Sequence, residues 1–465
     1  MISALPPIDE SSNSQAIAPL QPIPELINDL PNLCGWETDL EQVRQDQRPV
    51  FLEPSSPSLK TCTAAFAVAL HMHQPMVPSQ EPGHLISHLQ YMFEHPFDGD
   101  NHRAGTFTYC YSRIANFMVD LINQGYSPRV MLTYSGTLLW GLRQMGRGDV
   151  LDNLKRITTE KTYQPYVEWL GTFWGHAIAP TIPAADFKLH IQAWQHHFAA
   201  IFGWEALRRV RGFCLPELQL PTEPNALYTL VQTLQETGYR WLLVRAEQVC
   251  TPERQPLSQV HLPHRLEVTN TQGQTLSMAV LVQPSHCTAE SLASMEPYRQ
   301  AQQLARQPLG DRLIPPLVTQ IEDGENTHAM MHDFPAAFRN TWYDVLNQGD
   351  RSVQGLTGTE YLELLQATGL GLDDYPVCQV MPSPSTRPDV PHQRLHQRFH
   401  HAIAAGHRPP LAGHRLSESP RYRKALLYYL LSQTSCFQHW SSESHWQSAW
   451  QGLYQQTDAL LRQGF

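Results

Sequence analysis

The sequence predicts an α/β protein, because short apolar runs alternate with amphipathic segments along most of its 465 residues. The apolar runs, each of a length typical of a strand buried on both faces, lie at 64–70, 130–134, 212–215, 241–244, 316–321 and 377–381. Helical periodicity is found at 111–124, 187–202 and 226–237. Alternating strands and helices predict a parallel sheet or barrel. After Pro391 the runs stop, and 395–405, 422–435 and 446–462 predict a small helical domain.

The chain divides into three regions. Residues 1–60 are rich in Pro and Ser and predict an N-terminal extension, either a tail or a loosely docked segment. Residues 61–385 hold the strand and helix alternation, and residues 386–465 hold the closing helices. Within the middle region, residues 251–280 break the rhythm with polar pieces that contain Gly and Thr, which predicts an excursion or a hairpin.

Composition excludes several classes of protein. The formal net charge is -10, from 33 basic and 43 acidic residues, which argues against a nucleic-acid partner because phosphate binding requires clustered Lys and Arg. The first ten residues lack a basic stretch followed by an apolar run, so we expect a cytoplasmic protein. No apolar run is long enough for a membrane span. The 8 cysteines form no Cys-x-x-Cys pair, which predicts reduced thiols without a zinc site, and we expect no cofactor. Nothing in the sequence indicates an oligomeric state.

Two histidine motifs stand where strands of the predicted sheet end, which is where a parallel α/β barrel carries its reactive groups. His71 and His73 follow the first strand and could form a metal or substrate site, although a strand-end hydrogen bond and a solvated ring are the commoner outcome. Trp174 and His176 lie ahead of two prolines, and an indole beside an imidazole suits a carbohydrate pocket. A Trp buried beneath a proline loop is an equally good interpretation.

Two acidic motifs also follow strands. Glu217 ends the run Gly212 to Pro216, and a charge at the end of a buried strand is costly unless it is paired or used. Asp323 lies between Glu322 and Glu325 after the run at 316–321. Carboxylates from two strand ends could face each other across a barrel mouth, as glycoside hydrolysis requires. A salt-bridge partner, a helix cap, a solvated acidic turn or a calcium loop are the alternatives.

These four motifs, in this order, resemble those of glycoside hydrolase family 57, which contains α-amylases, 4-α-glucanotransferases, amylopullulanases and glycogen branching enzymes. The resemblance rests on His73-Gln74-Pro75, on His176 before a proline-containing loop, on Cys214-Leu-Pro-Glu217 and on Asp323-Gly-Glu325. It runs from about Ala64 to the C-terminal helices. The family fold is an incomplete (β/α)7 barrel followed by a C-terminal helical bundle, which agrees with the strand and helix pattern.

The resemblance implies a retaining enzyme that acts on α-1,4-glucan by transglycosylation or hydrolysis. It implies that Glu217 is the nucleophile and Asp323 the general acid/base. The implied substrate-binding residues are His73, Gln74, Trp174, His176, Glu325 and Trp440. The chain is identified as a divergent member, because Cys214 replaces a Trp found in many members and residues 435–440 lack an Asp that some members have in a fifth region.

Two other classes of function stay open on the sequence. A metal-dependent polysaccharide deacetylase shares a related barrel and would need a compact His and Asp ligand set. The pairs His84/His88 and His396/His400 have helical ligand spacing, but neither follows a strand with an Asp pair, so solvated helix faces are the better interpretation. A non-catalytic glucan-binding protein on the same scaffold is the third class, since a fold alone does not guarantee activity.

Overall fold

A computed structural model of the chain describes residues 20–53, 59–79, 84–325, 328–347, 352–382, 390–406, 416–439 and 444–463. The main sheet has 11 strands. In chain order they are β1 (Cys62–Met72), β2 (Val130–Tyr134), β3 (Val167–Gly171), β4 (Gly212–Cys214), β5 (Trp241–Arg245), β6 (Val249–Cys250), β7 (His264–Thr269), β8 (Thr275–Gln283), β9 (Leu317–Asp323), β10 (Ser352–Gly355) and β11 (Val377–Val380).

Seven of these strands form a continuous parallel array in the order β8-β5-β4-β3-β2-β1-β9. β10 pairs in parallel with the first half of β1. Beyond β8 the sheet continues through antiparallel β7, then β11 and β6. No ladder joins β8 to β9 in the described chain, and the side chain of Gln283 bridges them instead, its Oε1 accepting the Ile321 N–H at 2.9 Å. The array is therefore an incomplete (β/α)7 barrel, as predicted.

The alternation of side chains along β1 explains how the barrel packs. Ala64, Phe66, Val68 and Leu70 belong to the larger buried cluster, which the surrounding helices share. The intervening positions are the alanines of residues 65, 67 and 69, which pack in a second cluster with side chains of the neighbouring strands, among them Met131 and Ile321. Because both faces of the sheet are covered, the strand reads as a continuous apolar run rather than as an alternating one.

Helices cover the outside of the array and close the chain. They are α1 (Glu37–Arg44), α2 (His88–Glu94), α3 (Ala104–Asn123), α4 (Gly136–Gln144), α5 (Gly148–Thr159), α6 (Phe187–Phe202), α7 (Trp204–Arg208), α8 (Pro224–Glu236), α9 (Ala289–Ala293), α10 (Glu296–Gln303), α11 (His328–His332), α12 (Phe334–Asn347), α13 (Gly358–Ala367), α14 (Val390–Gly406), α15 (Pro420–Leu431), α16 (Cys436–His439) and α17 (Ser444–Gln463). In the described chain, no helix combines the length and the hydropathy that crossing a bilayer requires.

The N-terminal region is more firmly attached than the sequence predicted. Residues 1–19 and 54–58 lie outside the described residues, but 20–53 pack on the barrel. The guanidinium of Arg44 is buried and donates to the carbonyl oxygens of Leu207, Val210 and Thr237 at 2.6–2.9 Å. The expectation of a loosely docked segment is wrong for 20–53, because composition does not reveal that one buried arginine satisfies three backbone carbonyls of the barrel.

The helices after Pro391 also pack on the barrel, and α15 shares the larger buried cluster with β1. The Ser435 N–H donates to the His176 carbonyl at 3.1 Å, which ties the chain after α15 to the loop after β3. The predicted boundary between residues 385 and 386 falls in 383–389, outside the described residues. The stretch 251–280 does contain a hairpin, β7 to β8, but β8 is itself a barrel strand.

We predict that Gln283→Met destabilises the protein, because it removes the acceptor that the buried Ile321 N–H uses across the gap in the barrel. A buried donor left without a partner costs about 1–3 kcal/mol. The free energy of unfolding in urea would measure this. Gln272→Met, at an exposed position of the β7–β8 turn, is the matched control. Equal stability of the two variants would show that the side-chain bridge contributes nothing.

Candidate active site

A cavity lies at the carboxyl ends of β1, β4, β5 and β9, where parallel strands end at one edge of the sheet. Its volume is about 90 Å³. It is lined by His71, Cys214, Leu215, Glu217, Leu218, Arg245, Ile321, Glu322 and Asp323. The two predicted catalytic carboxylates, Glu217 and Asp323, therefore line the same cavity.

The backbone turns sharply to present Glu217. Its φ is 55° and its ψ 14°, and the φ of Leu218 is 53°, so two consecutive non-glycine residues are left-handed. Such a conformation costs roughly 1–3 kcal/mol for each residue and persists where the surroundings impose it, often at functional sites. Pro216 and Leu218 are buried while Glu217 is exposed. The turn thus anchors its neighbours in the core and leaves this carboxylate accessible from the cavity.

The turn after β9 places a second group of acids. Asp323 lies opposite His71 in the register between β9 and β1, and the Gly324 N–H donates to the His71 carbonyl at 2.9 Å. A Cβ at Gly324 would lie 2.2 Å from Cε of Met72, so this tight turn requires glycine. Glu325 then points inward, is 2 % exposed and accepts the His73 N–H at 3.2 Å. Burial, reinforced by the charge of Asp323, raises the pKa of Glu325 well above its ordinary value.

Three histidines form a layer that reaches the cavity through His71. The Nε2 atoms of His71 and His176 are 2.8 Å apart, so one ring donates to the other. The rings of His176 and His73 stack with centroids 3.9 Å apart and planes 7° from parallel. His176 has a φ of 57°, and its Nδ1 lies 2.8 Å from the Ser435 hydroxyl.

Polar partners hold His73 on both sides of its ring. Its Nδ1 is 2.8 Å from the Ser135 hydroxyl and its Nε2 3.3 Å from the Cys436 sulfur. Desolvation lowers the pKa of His71 to about 4, although the negative charge of Glu217 opposes this, and desolvation also lowers the pKa of His73 well below its ordinary value. Both rings are therefore neutral near pH 7 and each offers one donor and one acceptor.

Two further charged groups line the cavity. Desolvation raises the pKa of Glu322 from 4.5 to about 7, with a contribution from Asp323, while a hydrogen bond from Gln320 opposes the shift. Arg245, at the end of β5, lowers the pKa of Glu322 by its positive charge. Its Nε is buried and has no hydrogen-bond partner among the residues described. The cavity thus combines three acids with one guanidinium.

The sequence did not single out Arg245. It offered His71, with His73, only as part of a possible metal or substrate site, and Glu322 only as a neighbour of Asp323. Each lies at the end of an apolar strand, so the rule that singled out Glu217 would have found them too. His73 and His176 were selected, and the structure places them one layer behind the cavity wall, in contact with it through His71.

Two residues that the resemblance assigned to substrate binding lie away from the cavity. The Trp174 indole is 0 % exposed, and its Nε1 donates to His197 Nδ1 at 3.2 Å. It fills space left by Gly136, where a Cβ would lie 2.0 Å from the ring. Trp174 is therefore a core residue with no face open to a sugar. Gln74 is buried and lies 3.2 Å from His88 Nδ1 through its Oε1. Trp440 lies outside the described residues.

The pair His396/His400 was predicted to be a solvated helix face, and this is wrong. Both imidazoles face the buried carboxylate of Asp186 from the side of α14. Over the ranges described, these three residues are the one group of His, Cys, Asp or Glu ligand atoms close enough to share an ion, and none of them lines the cavity.

Comparison with solved structures shows the same fold in three proteins. An α-amylase from Thermotoga maritima superposes with a TM-score of 0.53 at 10% identity, covering 86% of this chain and 93% of its own. A branching enzyme of the family 57 type from Pyrococcus horikoshii superposes with a TM-score of 0.54 at 11% identity, covering 83% of this chain and 88% of its own. A 4-α-glucanotransferase from Thermococcus litoralis gives 0.52 at 14% identity, covering 84% of this chain, which spans 59% of that enzyme.

The sequence itself also carries a family signal. No curated protein matches the chain. The model of glycosyl hydrolase family 57 matches residues 67–281, a segment that contains His73, His176 and Glu217 and stops before Asp323. This match supports an enzyme of the family 57 type, as the motifs predicted. Over residues 67–281, therefore, the chain is similar to glycosyl hydrolase family 57, and its barrel has the fold of solved enzymes that include a branching enzyme of the family 57 type.

Proposed function

We propose that the chain is a retaining carbohydrate-active enzyme that acts on α-1,4-glucan, with Glu217 as nucleophile and Asp323 as general acid/base. The observation that carries the proposal is the accessible, left-handed Glu217 lining one cavity together with Asp323. Two carboxyl groups at one site are the minimum that glycoside cleavage with retention requires. The glucan-acting neighbours of the same fold support the substrate class.

In the first half of the reaction, Asp323 donates a proton to the glycosidic oxygen while a carboxylate oxygen of Glu217 attacks the anomeric carbon. The bond to the leaving sugar breaks, and a β-glycosyl-enzyme forms on Glu217. The acid must hold its proton near neutral pH for this step.

In the second half, the carboxylate of Asp323 accepts a proton from the incoming acceptor, whose oxygen displaces Glu217 from the anomeric carbon. Two inversions restore the α configuration. Water as acceptor gives hydrolysis, and a sugar hydroxyl gives transglycosylation. The buried Nε of Arg245 would be satisfied by a sugar oxygen, which suits this side chain to hold the substrate beside the two acids.

The histidine layer has a positioning role in this proposal. His71 lines the cavity and is held by His176, which stacks on His73. Because the desolvated imidazole of His71 stays neutral, it can donate to or accept from a sugar hydroxyl without adding charge. Glu325 supports the layer from below through the His73 N–H.

We predict that Glu217→Gln abolishes turnover of maltoheptaose and amylose while glucan binding persists, because the amide keeps the shape of the side chain and loses its nucleophilicity. Glu247→Gln, an exposed acid just beyond β5, is the matched control and should retain activity. The anomeric form and the length of early wild-type products would be followed by NMR and chromatography. Early α-anomers support retention, and early β-anomers would exclude it.

The same product analysis separates the modes of action. Short sugars alone indicate hydrolysis, oligomers longer than maltoheptaose indicate transfer, and new branch points indicate branching. Binding without any product in the wild type would make the chain a non-catalytic glucan-binding protein.

We also predict that Asp323→Asn slows maltoheptaose turnover by roughly 10²–10⁴-fold, the usual contribution of a general acid or base. Its effect on α-maltosyl fluoride should be much smaller, because fluoride leaves without protonation. Glu322→Gln removes the neighbouring carboxyl of the same strand and is the comparison variant. A larger substrate-dependent loss in Glu322→Gln than in Asp323→Asn would transfer the acid role to Glu322.

The raised pKa of Glu322 predicts a pH-dependent stability. Between about pH 4.5 and pH 7 the folded protein keeps a proton that the unfolded chain releases, so this group weakens folding increasingly as the pH rises through that window. Glu322→Gln should therefore gain thermal stability over the wild type between about pH 5 and about pH 8. Glu41→Gln, at an exposed position of α1, is the control. A pH-independent difference in Tm would contradict the shift.

A further inference from the structure

Asp186 stands at the start of α6 but does not behave as a helix cap. It occupies the N-cap position, where an Asp ordinarily accepts an N–H of the first turn, and its side chain makes no such bond. The carboxylate is 0 % exposed and turns toward the C-terminal helices. Its Oδ1 lies 3.2 Å from Nδ1 of His396 and 3.0 Å from Nε2 of His400.

The other oxygen of this carboxylate is held by different partners. Oδ2 of Asp186 accepts the Tyr429 hydroxyl at 2.5 Å and the Gln433 amide at 2.8 Å. The Gln433 Oε1 lies in turn 2.8 Å from Nε2 of His190. One oxygen is thus fixed by outer donors while the other faces two imidazole nitrogens. A carboxylate that binds a metal ion is oriented by outer hydrogen bonds in the same way.

We propose that Asp186, His396 and His400 bind a divalent transition-metal ion, with Zn²⁺ the best match. Their three ligand atoms lie within 4.8 Å of one another. In a tetrahedral Zn²⁺ site with bonds of about 2.0–2.1 Å, neighbouring ligand atoms are roughly 3.3–3.4 Å apart. The two distances from Oδ1, 3.0 and 3.2 Å, are close to this edge.

The chemical type of the three ligands indicates which ion would bind. Two imidazoles and one carboxylate suit Zn²⁺, Co²⁺ or Ni²⁺, whereas Ca²⁺ and Mg²⁺ take oxygen ligands. The side chains of His396 and His400 are 24% and 36% exposed, so water can reach the ion and supply a fourth ligand. An i, i+4 pair on one face of a helix brings its two side chains together.

The position of the site indicates a structural role. α14 packs within the C-terminal helices, for example through the stacked rings of Phe399 and Tyr429 with centroids 4.3 Å apart. An ion shared with Asp186 would fasten α14 directly to the barrel. A series of hydrogen bonds leads from the site toward the cavity. Gln433, which donates to Asp186, also contacts His190. His190 accepts the Gly175 N–H at 3.4 Å, and Gly175 precedes His176. The ion would thereby stabilise the loop that carries His176.

The chain offers an internal control for this site. His328 and His332 on α11 have the same spacing, with ring centroids 4.2 Å apart against 4.3 Å for His396 and His400. Both are exposed, and no third ligand atom joins them among the residues described. A histidine pair alone binds weakly, so the carboxylate of Asp186 is what distinguishes the two sites.

Metal-stripped full-length protein would be titrated with Zn²⁺ and with Co²⁺, following the Tm, the bound metal per chain and the visible spectrum of the Co²⁺ form. We expect one ion per chain and a Tm that rises with metal concentration. His400→Ala should weaken binding by at least ~100-fold, and Tyr429→Phe, which removes an outer donor, by roughly 10–100-fold. His332→Ala should bind as the wild type does.

Equal affinity in the wild type and His400→Ala would overturn the proposal, as would the absence of saturable binding. Loss of binding in His332→Ala but not in His400→Ala would place the ion on α11. Asp186→Asn should also abolish binding, but its side chain is fully buried, so a failure of that variant to fold would leave the decision to the half-exposed His400.

Discussion

The hydrogen bond between the Nε2 atoms of His71 and His176 joins parts of the chain that are 105 residues apart, and the geometry of the cavity depends on it. His71 ends β1 opposite Asp323, while His176 is tied to Ser435 beyond α15. Strand, loop and C-terminal helices therefore meet at one pair of imidazoles. A buried ring nitrogen without a hydrogen-bond partner lowers the stability of the fold. Replacing either ring would therefore leave the other without its partner, and the cavity wall would lose its support.

Three residues with a strained backbone lie at or near this pair. His176, Glu217 and Leu218 all have positive φ without being glycine. At Glu217 the left-handed turn directs the carboxylate out of the strand and toward the cavity, which a continued β conformation would not do. The stabilisation from surrounding contacts must exceed the conformational free energy that this turn costs. These contacts include the packing of the buried Pro216 and Leu218 on either side of the acid. Core packing of these two neighbours thus holds the turn that carries Glu217.

The sequence predicted the elements whose pattern is local and missed those that depend on distant residues. The apolar runs at β1, β2, β4, β5 and β9 were recognisable, and α6 matches its predicted bounds. β3 was missed because Glu168 interrupts its apolar pattern. That carboxyl is buried and accepts hydrogen bonds from Thr359, about 190 residues later, and its pKa is raised by burial to about 7.

In the candidate active site, too, the residues with a local sequence signal were predicted and those that depend on distant residues were not. Glu217 and Asp323 were found because each follows a strand, which is a local signal. Trp174 was misassigned because the space that receives its ring is made by Gly136 on another element. The role of His396 and His400 could not be predicted from helical spacing alone, since their partner Asp186 is more than 200 residues away in the chain.

The contact between His73 and Cys436 spans 363 residues, and this separation bears on how the molecule is made. A ribosome that adds about 5–20 residues per second would need roughly 20–70 s to travel from the first of these residues to the second. During that interval the nascent barrel has its strands but lacks the side chains that complete the histidine layer. A chain still being translated can already form the contacts of His71 with His176 and of His73 with Ser135, but it lacks the Cys436 contact of His73 and the Ser435 contact of His176.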